Sequence, residues 1–218
     1  KTTTIKSLLN IIKQEEGEIC LLGMEHQKDE IAIKNRIGVV FDELPFHDQL
    51  TPLQLGNILA GIFSSWDSGC FTNYLERFSL PQKKKIATFS KGMKRQAATI
   101  LALSTMPRYL FFDETFDGLD PVMRNLVKTV IYNDVCERKT TTIITSHSLR
   151  ELEDTCDQLA LLHKGGIVFE SDIQNLKTSL FKVQIAFDQE YDKSKFTGMD
   201  ILKFTKRGSV SNIIVRGD

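Results

Sequence analysis

The 218-residue chain has no net charge, because 28 Lys and Arg balance 28 Asp and Glu. No global electropositive field therefore draws it onto nucleic acid or anionic lipid. It also has no long hydrophobic run. Stretches such as Ile58–Phe63, with Gly61 inside, fall far short of the about 18 to 20 residues that a membrane span needs. That shortness does not exclude a membrane-bound partner. Nor is there a C-x-x-C pair: Cys20, Cys70, Cys136 and Cys156 lie far apart. The spacing argues against zinc ligation or a disulfide framework, and for reduced, buried thiols of a cytosolic protein. The opening Lys1-Thr2-Thr3-Thr4 leads into a helical pattern rather than the apolar region of a signal peptide.

What is present is globular in composition. Hydrophobic residues make up 41% and charged residues 26%, which excludes a disordered or collagen-like chain. The length suits one domain with a small appendage.

Periodicity gives the order of elements. Ile5, Leu8, Leu9 and Ile12 recur at helical spacing and predict a helix from the first residues to about Lys13. Glu18–Leu22 with Gly23 reads as a short strand and turn, and Ile37–Phe41 as a buried strand. Thr51 to about Phe78 is helical in pattern, as is Lys91–Ser104. Tyr109–Phe112 is a strand ending in two carboxylates. Asp120-Pro121 is an N-cap with proline at the first helical turn, and the helix behind it carries Val122, Met123, Leu126, Val127, Val130 and Ile131. Thr141–Thr145 is a β-branched strand, Ser148–Asp154 a short helix, and Lys164-Gly165-Gly166 the turn of a hairpin. Strands alternating with helices predict a mainly parallel sheet covered on both faces. Beyond Ser171, strict alternation at Phe181, Val183, Ile185 and Phe187 marks a small α+β appendage.

Several short groups have the right residue types for phosphate chemistry. Lys1-Thr2 matches only the last two positions of a P-loop, whose lysine neutralises β/γ-phosphates and whose hydroxyl ligates Mg²⁺; a Lys-Thr dipeptide alone carries nothing. Asp113-Glu114 follows an apolar strand, and open α/β sheets place ligands beyond the carboxyl ends of their strands. The first acid can hold Mg²⁺ through water and the second can deprotonate an attacking water; a solvated acidic turn is the other reading. Ser90 can cap the helix from Lys91, leaving free N–H groups for an anion with Gly92 permitting close approach, or it can simply cap a surface helix. His147, at a strand-to-helix turn, is either structural or placed to hydrogen-bond a γ-phosphate.

In kind, order and spacing these pieces together resemble the ATP-binding cassette (ABC) ATPases. Lys1-Thr2 resembles the end of their Walker A motif, and Ser90-Lys91-Gly92-Met93 their signature motif. Tyr109–Asp113 with Glu114 resembles Walker B plus the catalytic glutamate. Gly118-Leu119-Asp120 looks like the D-loop, and His147 like the switch histidine. The likeness runs from Lys1 to about Glu170. The S-K-G-M form, and the stretch from Trp66-Asp67 to Gln82 before it, look most like bacterial ATPases that drive ABC-2-type exporters.

The resemblance implies a P-loop NTPase-type sheet with an inserted helical subdomain. Residues 1–50 and 107–170 would form the ATPase core, 51–106 the subdomain and 171–218 the appendage. It implies ATP and Mg²⁺, with Lys1, Thr2, Thr3, Ser90, Lys91, Gly92 and Asp120 at the nucleotide, Thr2, Asp42 and Asp113 at the metal, and Glu114 and His147 as catalytic residues. Two such domains dimerise head to tail, as a homodimer or with a second ABC ATPase. Each ATP then lies between one Walker A motif and the opposite signature, where Ser90 and Gly92 bind the γ-phosphate in trans, and Asp120 connects the two sites. Closure and hydrolysis move a separate transmembrane permease, which places the protein at the cytoplasmic face of a bacterial membrane. Leu44-Pro45-Phe46 is where the family receives a permease helix; packing against the helical block is the other reading. The alternatives are a soluble ABC ATPase acting on ribosomes or DNA, and a degenerate regulatory subunit. The neutral charge counts against the first, and Glu114 with His147 against the second.

Four residues depart from the family pattern. Asp42 stands where glutamine is usual, Thr115-Phe116 where proline and a small polar residue are common, and Lys91 in place of the first signature glycine. The glycine loop and its strand are not in the sequence, so about 30 to 45 further residues are expected upstream, the size of a βαβ-type unit. Without them ATP binding is expected to be poor.

Overall fold

The computed structural model describes residues 1–41, 49–116, 118–186, 196 and 198–216, in two compact units, Lys1–Thr155 and Cys156–Asp218.

The first unit is built on three parallel strands, β3 (Ile37–Val40), β4 (Tyr109–Asp113) and β5 (Thr141–Thr145), in the order β3-β4-β5. Leu110, Phe111 and Phe112 are all fully buried, as a strand covered on both faces requires. Alternation then sends them to opposite sides. Leu110 and Phe112 join the cluster containing Ile100, Leu103, Val127 and Val130. Phe111 meets Ile5, Leu9, Ile33 and Ile37.

The second of these clusters belongs to the first elements of the chain. Helix α1 spans Thr2–Leu8 and buries Ile5. It is shorter than the periodicity predicts, because Asn10 turns into the left-handed region (φ 57°), which Asn tolerates better than most residues. Ile11 and Ile12 are consequently exposed. A hairpin of β1 (Cys20–Leu21) and β2 (Met24–Glu25) follows, with Leu22 and Gly23 both at positive φ, as a type I′ turn demands. Helix α2 (Glu30–Lys34) has no counterpart in the sequence reading.

The other face carries the helical block. Thr51 and Gln54 form a capping box, with Pro52 as the first residue of α3 (Pro52–Ile62). Asp67 caps α4 (Ser68–Arg77), and a short 3₁₀ turn (Ile86–Thr88) leads to α5 (Lys91–Ser104). Every residue of α5 from Arg95 to Ser104 is buried, since it lies between α3–α4 and the sheet. Its buried hydroxyls are satisfied locally: Thr99 donates to the Arg95 carbonyl and Ser104 to that of Ile100. The approach of α5 to β3 is close. A Cβ on Gly38 would stand 2.8 Å from Leu110 Cδ1 and 3.1 Å from the Ala102 carbonyl oxygen.

Asp120 caps α6 (Pro121–Arg138), which ends where Lys139 turns left-handed at φ 58°. Near that end Arg138 pairs with the buried Asp134 and reaches Met106 Sδ. Helix α7 (Leu149–Glu153) completes the unit.

The second unit holds the hairpin β6 (Gln158–His163) and β7 (Gly166–Asp172), helix α8 (Ile173–Ser179), and an antiparallel sheet of β8 (Leu180–Ala186), β9 (Asp200–Arg207) and β10 (Val210–Arg216) in the order β8-β10-β9. The hairpin, grouped on sequence with residues 107–170, falls in this unit: its strands pair with each other, and the Ile173 amide at the start of α8 bonds to the Asp157 carbonyl.

None of the four cysteines is fully buried, contrary to the sequence expectation; Cys20 and Cys136 are exposed, Cys70 and Cys156 partly so, and all are free thiols. Cys20 lies on a two-residue strand with one face open, and the buried face of α6 is used by Val127, Val130, Ile131 and Asp134 rather than Cys136. Among the described residues no helix is long and apolar enough to cross a membrane.

Candidate functional site

Strands β4 and β5 end together, and their last residues are the first half of the site. Asp113 is buried and lies in register with Thr145. The Thr145 hydroxyl donates to Asp113 Oδ1 at 2.6 Å. The Glu114 amide donates to the Thr145 carbonyl at 3.0 Å and also lies 3.3 Å from the Thr145 hydroxyl oxygen. These bonds hold Glu114 in the left-handed region, at φ 51°. A side chain there costs about 1–2 kcal/mol, and such backbone collects at functional sites. Glu114 Oε1 is brought 3.8 Å from His147 Nδ1, with the carboxylate side chain about one third exposed and the imidazole mostly so. Both groups can thus meet a solvent molecule and an incoming ligand. Lys1 joins them, its ammonium donating to the Ser146 carbonyl at 2.6 Å.

The second half surrounds the start of α5. Ser90 Oγ accepts from the Met93 amide at 3.2 Å and so caps the helix. A Cβ on Gly92 would lie 3.5 Å from the Gly118 carbonyl oxygen, so the signature turn packs on the segment Gly118-Leu119 of its own chain. Lys91 is exposed beside it. Asp120 Oδ1 accepts from the amides of Val122 and Met123, at 3.0 Å each, and in this chain its carboxylate caps α6. Between the halves, Thr115 donates to the Val40 carbonyl at 3.2 Å, and Phe116 is buried against Phe112 with ring centroids 6.4 Å apart. Thr115-Phe116 therefore fills the interior at the ends of β3 and β4.

Thr2 and Thr3 stand in the first turn of α1, Thr2 partly buried and Thr3 exposed. Asp42 and the Leu44-Pro45-Phe46 loop lie outside the described residues.

This donor set fits a magnesium polyphosphate. Neither α1 nor α5 carries an acid in its first turn, and Lys1 and Lys91 stand at their starts, so an anion meets no like charge there. Asp113 and Thr2 offer hard oxygen donors. Among the described residues no three carboxylate, imidazole or thiol groups are grouped to hold a metal by themselves. Mg²⁺ is commonly held by one or two carboxylates, waters and the substrate's phosphates.

Thr145 and Ser146 escaped the sequence reading. Both lie in a run that looks like plain β-branched strand and turn; the available signal was the hydroxyl opposite Asp113 on the neighbouring strand.

Residues 1–117 match the family model described as ABC transporter. The chain is 32% identical to the ABC transporter ATP-binding protein YtrB of Bacillus subtilis over 190 residues, 87% of this chain and 65% of that protein. It is 33% identical to the bacitracin transport ATP-binding protein BcrA of Bacillus licheniformis over 179 residues, 81% of this chain and 58% of that protein. It thus spans less than two thirds of the length of either relative. Among solved structures, an ATP-binding subunit of an ABC transporter superposes with a TM-score of 0.73 at 21% identity, covering 81% of this chain and 75% of that one. The ATP-binding cassette MJ0796, in a dimeric post-hydrolysis state bound to ADP and Pi, superposes with a TM-score of 0.68 at 19% identity, covering 79% and 80%.

Proposed function

The chain belongs to the ABC transporter family of ATP-binding domains, and from that premise we propose that it hydrolyses ATP to drive an ABC-2-type exporter through a separate transmembrane permease. The observation that carries the reading is the grouping of Glu114, His147, Lys1 and the Asp113–Thr145 pair at one sheet edge. Glu114 takes the proton of the attacking water. His147, 3.8 Å away, orients the terminal phosphate and restrains the base. Lys1, Thr2 and Thr3 bind phosphate oxygens from the first turn of α1, and transition-state charge is stabilised mainly by such positioned donors. Asp113 and Thr2 would hold Mg²⁺, with Asp42 the third candidate; a bound ion would neutralise charge that develops on the phosphates.

Ser90, Lys91 and Gly92 are exposed or half-buried at a helix start, which suits contact with the nucleotide of a second ATPase domain. The working unit in this reading is a head-to-tail dimer, closed by ATP and opened by hydrolysis, with Asp120 linking the two sites. Likeness to ATP-binding proteins named for transport, one of them for bacitracin, supports a transport role. The dimer would sit on the cytoplasmic face of the membrane. The test is ATP turnover by the full-length polypeptide, with an integral membrane protein recovered on purification. Absence of turnover in the wild type overturns the hydrolytic reading, and recovery on ribosomes or DNA overturns the transport reading.

A further inference from the structure

One chain of contacts joins the two halves of the site without using any of the reactive groups. Glu151, on α7, is nine-tenths buried. The Ser146 hydroxyl donates to Glu151 Oε2 at 3.0 Å, and Ser146 Oγ itself accepts from the Ser148 amide at 2.9 Å. Glu151 Oε1 lies 3.2 Å from Arg124 Nη1, on α6. The other arm of that guanidinium, Nη2, donates to the Leu119 carbonyl at 3.2 Å. Leu119 is bounded by Gly118, which Gly92 meets, and by Asp120. At the far end, Lys1 holds the Ser146 carbonyl.

Glu151 is nearly buried but Arg124 is about one third exposed; such an ion pair is a weak source of net stability, and its best-attested use is to fix an arrangement. A guanidinium also holds two acceptors in a set geometry, which an ammonium does not. We infer that Arg124 and Glu151 are positioning residues, a strut that fixes the Ser146–His147 turn relative to the Leu119–Asp120 turn. Displacement of either turn is thereby passed to the other. The inference rests on the proposed ATPase role, because only there do the two turns serve one reaction.

The test uses Glu151→Gln, Arg124→Lys and the double variant in the full-length polypeptide. Steady-state ATP turnover, melting temperature, and amide exchange at residues 118–120 and 146–148 without nucleotide are measured. Each single change is expected to lower kcat about 10- to 100-fold, the cost of misplacing groups at a distance, while KM for ATP and the melting temperature hold. Either change should speed exchange in both turns, and the double variant should lose no more than the worse single, since one link is broken once. Should the singles fold poorly, Arg124→Met with Glu151→Met removes both charges together, leaves no orphaned charge, and should give the same loss. Exchange that rises only in the turn nearest the change, losses that multiply, or a fall in kcat that follows melting temperature would overturn the strut. A wild type that hydrolyses no ATP sinks the functional reading instead, and the exchange result then decides the strut alone.

Discussion

In a Glu114→Gln variant the backbone keeps its turn, because the amide still donates to the Thr145 carbonyl and Gln fills the same volume at φ 51°. The carboxylate is about one third exposed and faces the imidazole at 3.8 Å, so no buried charge is orphaned by the change. Stability should therefore move by less than about 0.5 kcal/mol, as for other exposed substitutions. What is lost is the proton acceptor. General-base catalysis contributes about 10²- to 10⁴-fold, which converts to roughly 3 to 5 kcal/mol in the barrier. The assay pairs single-turnover ATP hydrolysis with equilibrium ATP binding and sedimentation. Turnover should fall by that factor, while ATP is bound and the dimer persists. Unchanged turnover would show that another group accepts the proton. A parallel collapse of ATP affinity would show that Glu114 binds nucleotide rather than activating water.

Other perturbations test the frame around that base. Thr145→Val conserves shape but strips Asp113 of the hydroxyl at 2.6 Å, leaving a buried carboxylate short of a donor; a loss of about 1–3 kcal/mol in chemical denaturation is expected, and no loss would mean that the bond is idle. Gly38→Ala drives a methyl to 3.1 Å from the Ala102 carbonyl oxygen of α5 and 2.8 Å from Leu110 Cδ1 of β4; overpacking of this kind costs about 1–3 kcal/mol, and an unchanged denaturation midpoint would refute the close seating of α5 and β4 around β3. Burial pushes the Tyr74 phenol up from 10.0 to about 12. The native state then keeps a proton that the unfolded chain has lost, so stability is level below pH 10 and falls as pH rises from 10 toward 12. Urea midpoints at pH 9 and 11 measure that fall, and Tyr74→Phe should remove it.

Much of this architecture is legible in the chain because local and tertiary preferences agree. Lys91–Ser104 is helix to the residue: Ser90 announces its start, and apolar spacing continues until Ser104. Thr141–Thr145 is likewise a strand to the residue, five β-branched positions between turn formers. Legibility fails where the determining partner is remote. Five residues of α2 are too few for a period to appear, and Ile33 is fixed only by packing on Phe111 and Ile37. Leu9 and Ile12 share helical spacing with Ile5, yet the helix stops at Leu8 because Asn10 turns the chain. At the site, the types of Asp113, Glu114 and His147 can be read, but the left-handed backbone at 114 cannot, since it is imposed by Thr145 across the sheet. Arg124 and Glu151 look like ordinary charged residues of two surface helices until the fold places them together.

The conformation at position 114 also biases how this site would decay. Glycine accepts positive φ with less strain than glutamate does. In a lineage released from selection for turnover, random drift at this codon would meet a downhill slope in folding energy. Copies that have fallen silent should accordingly carry glycine there more often than alanine, a scar in the genome that marks retirement from hydrolysis.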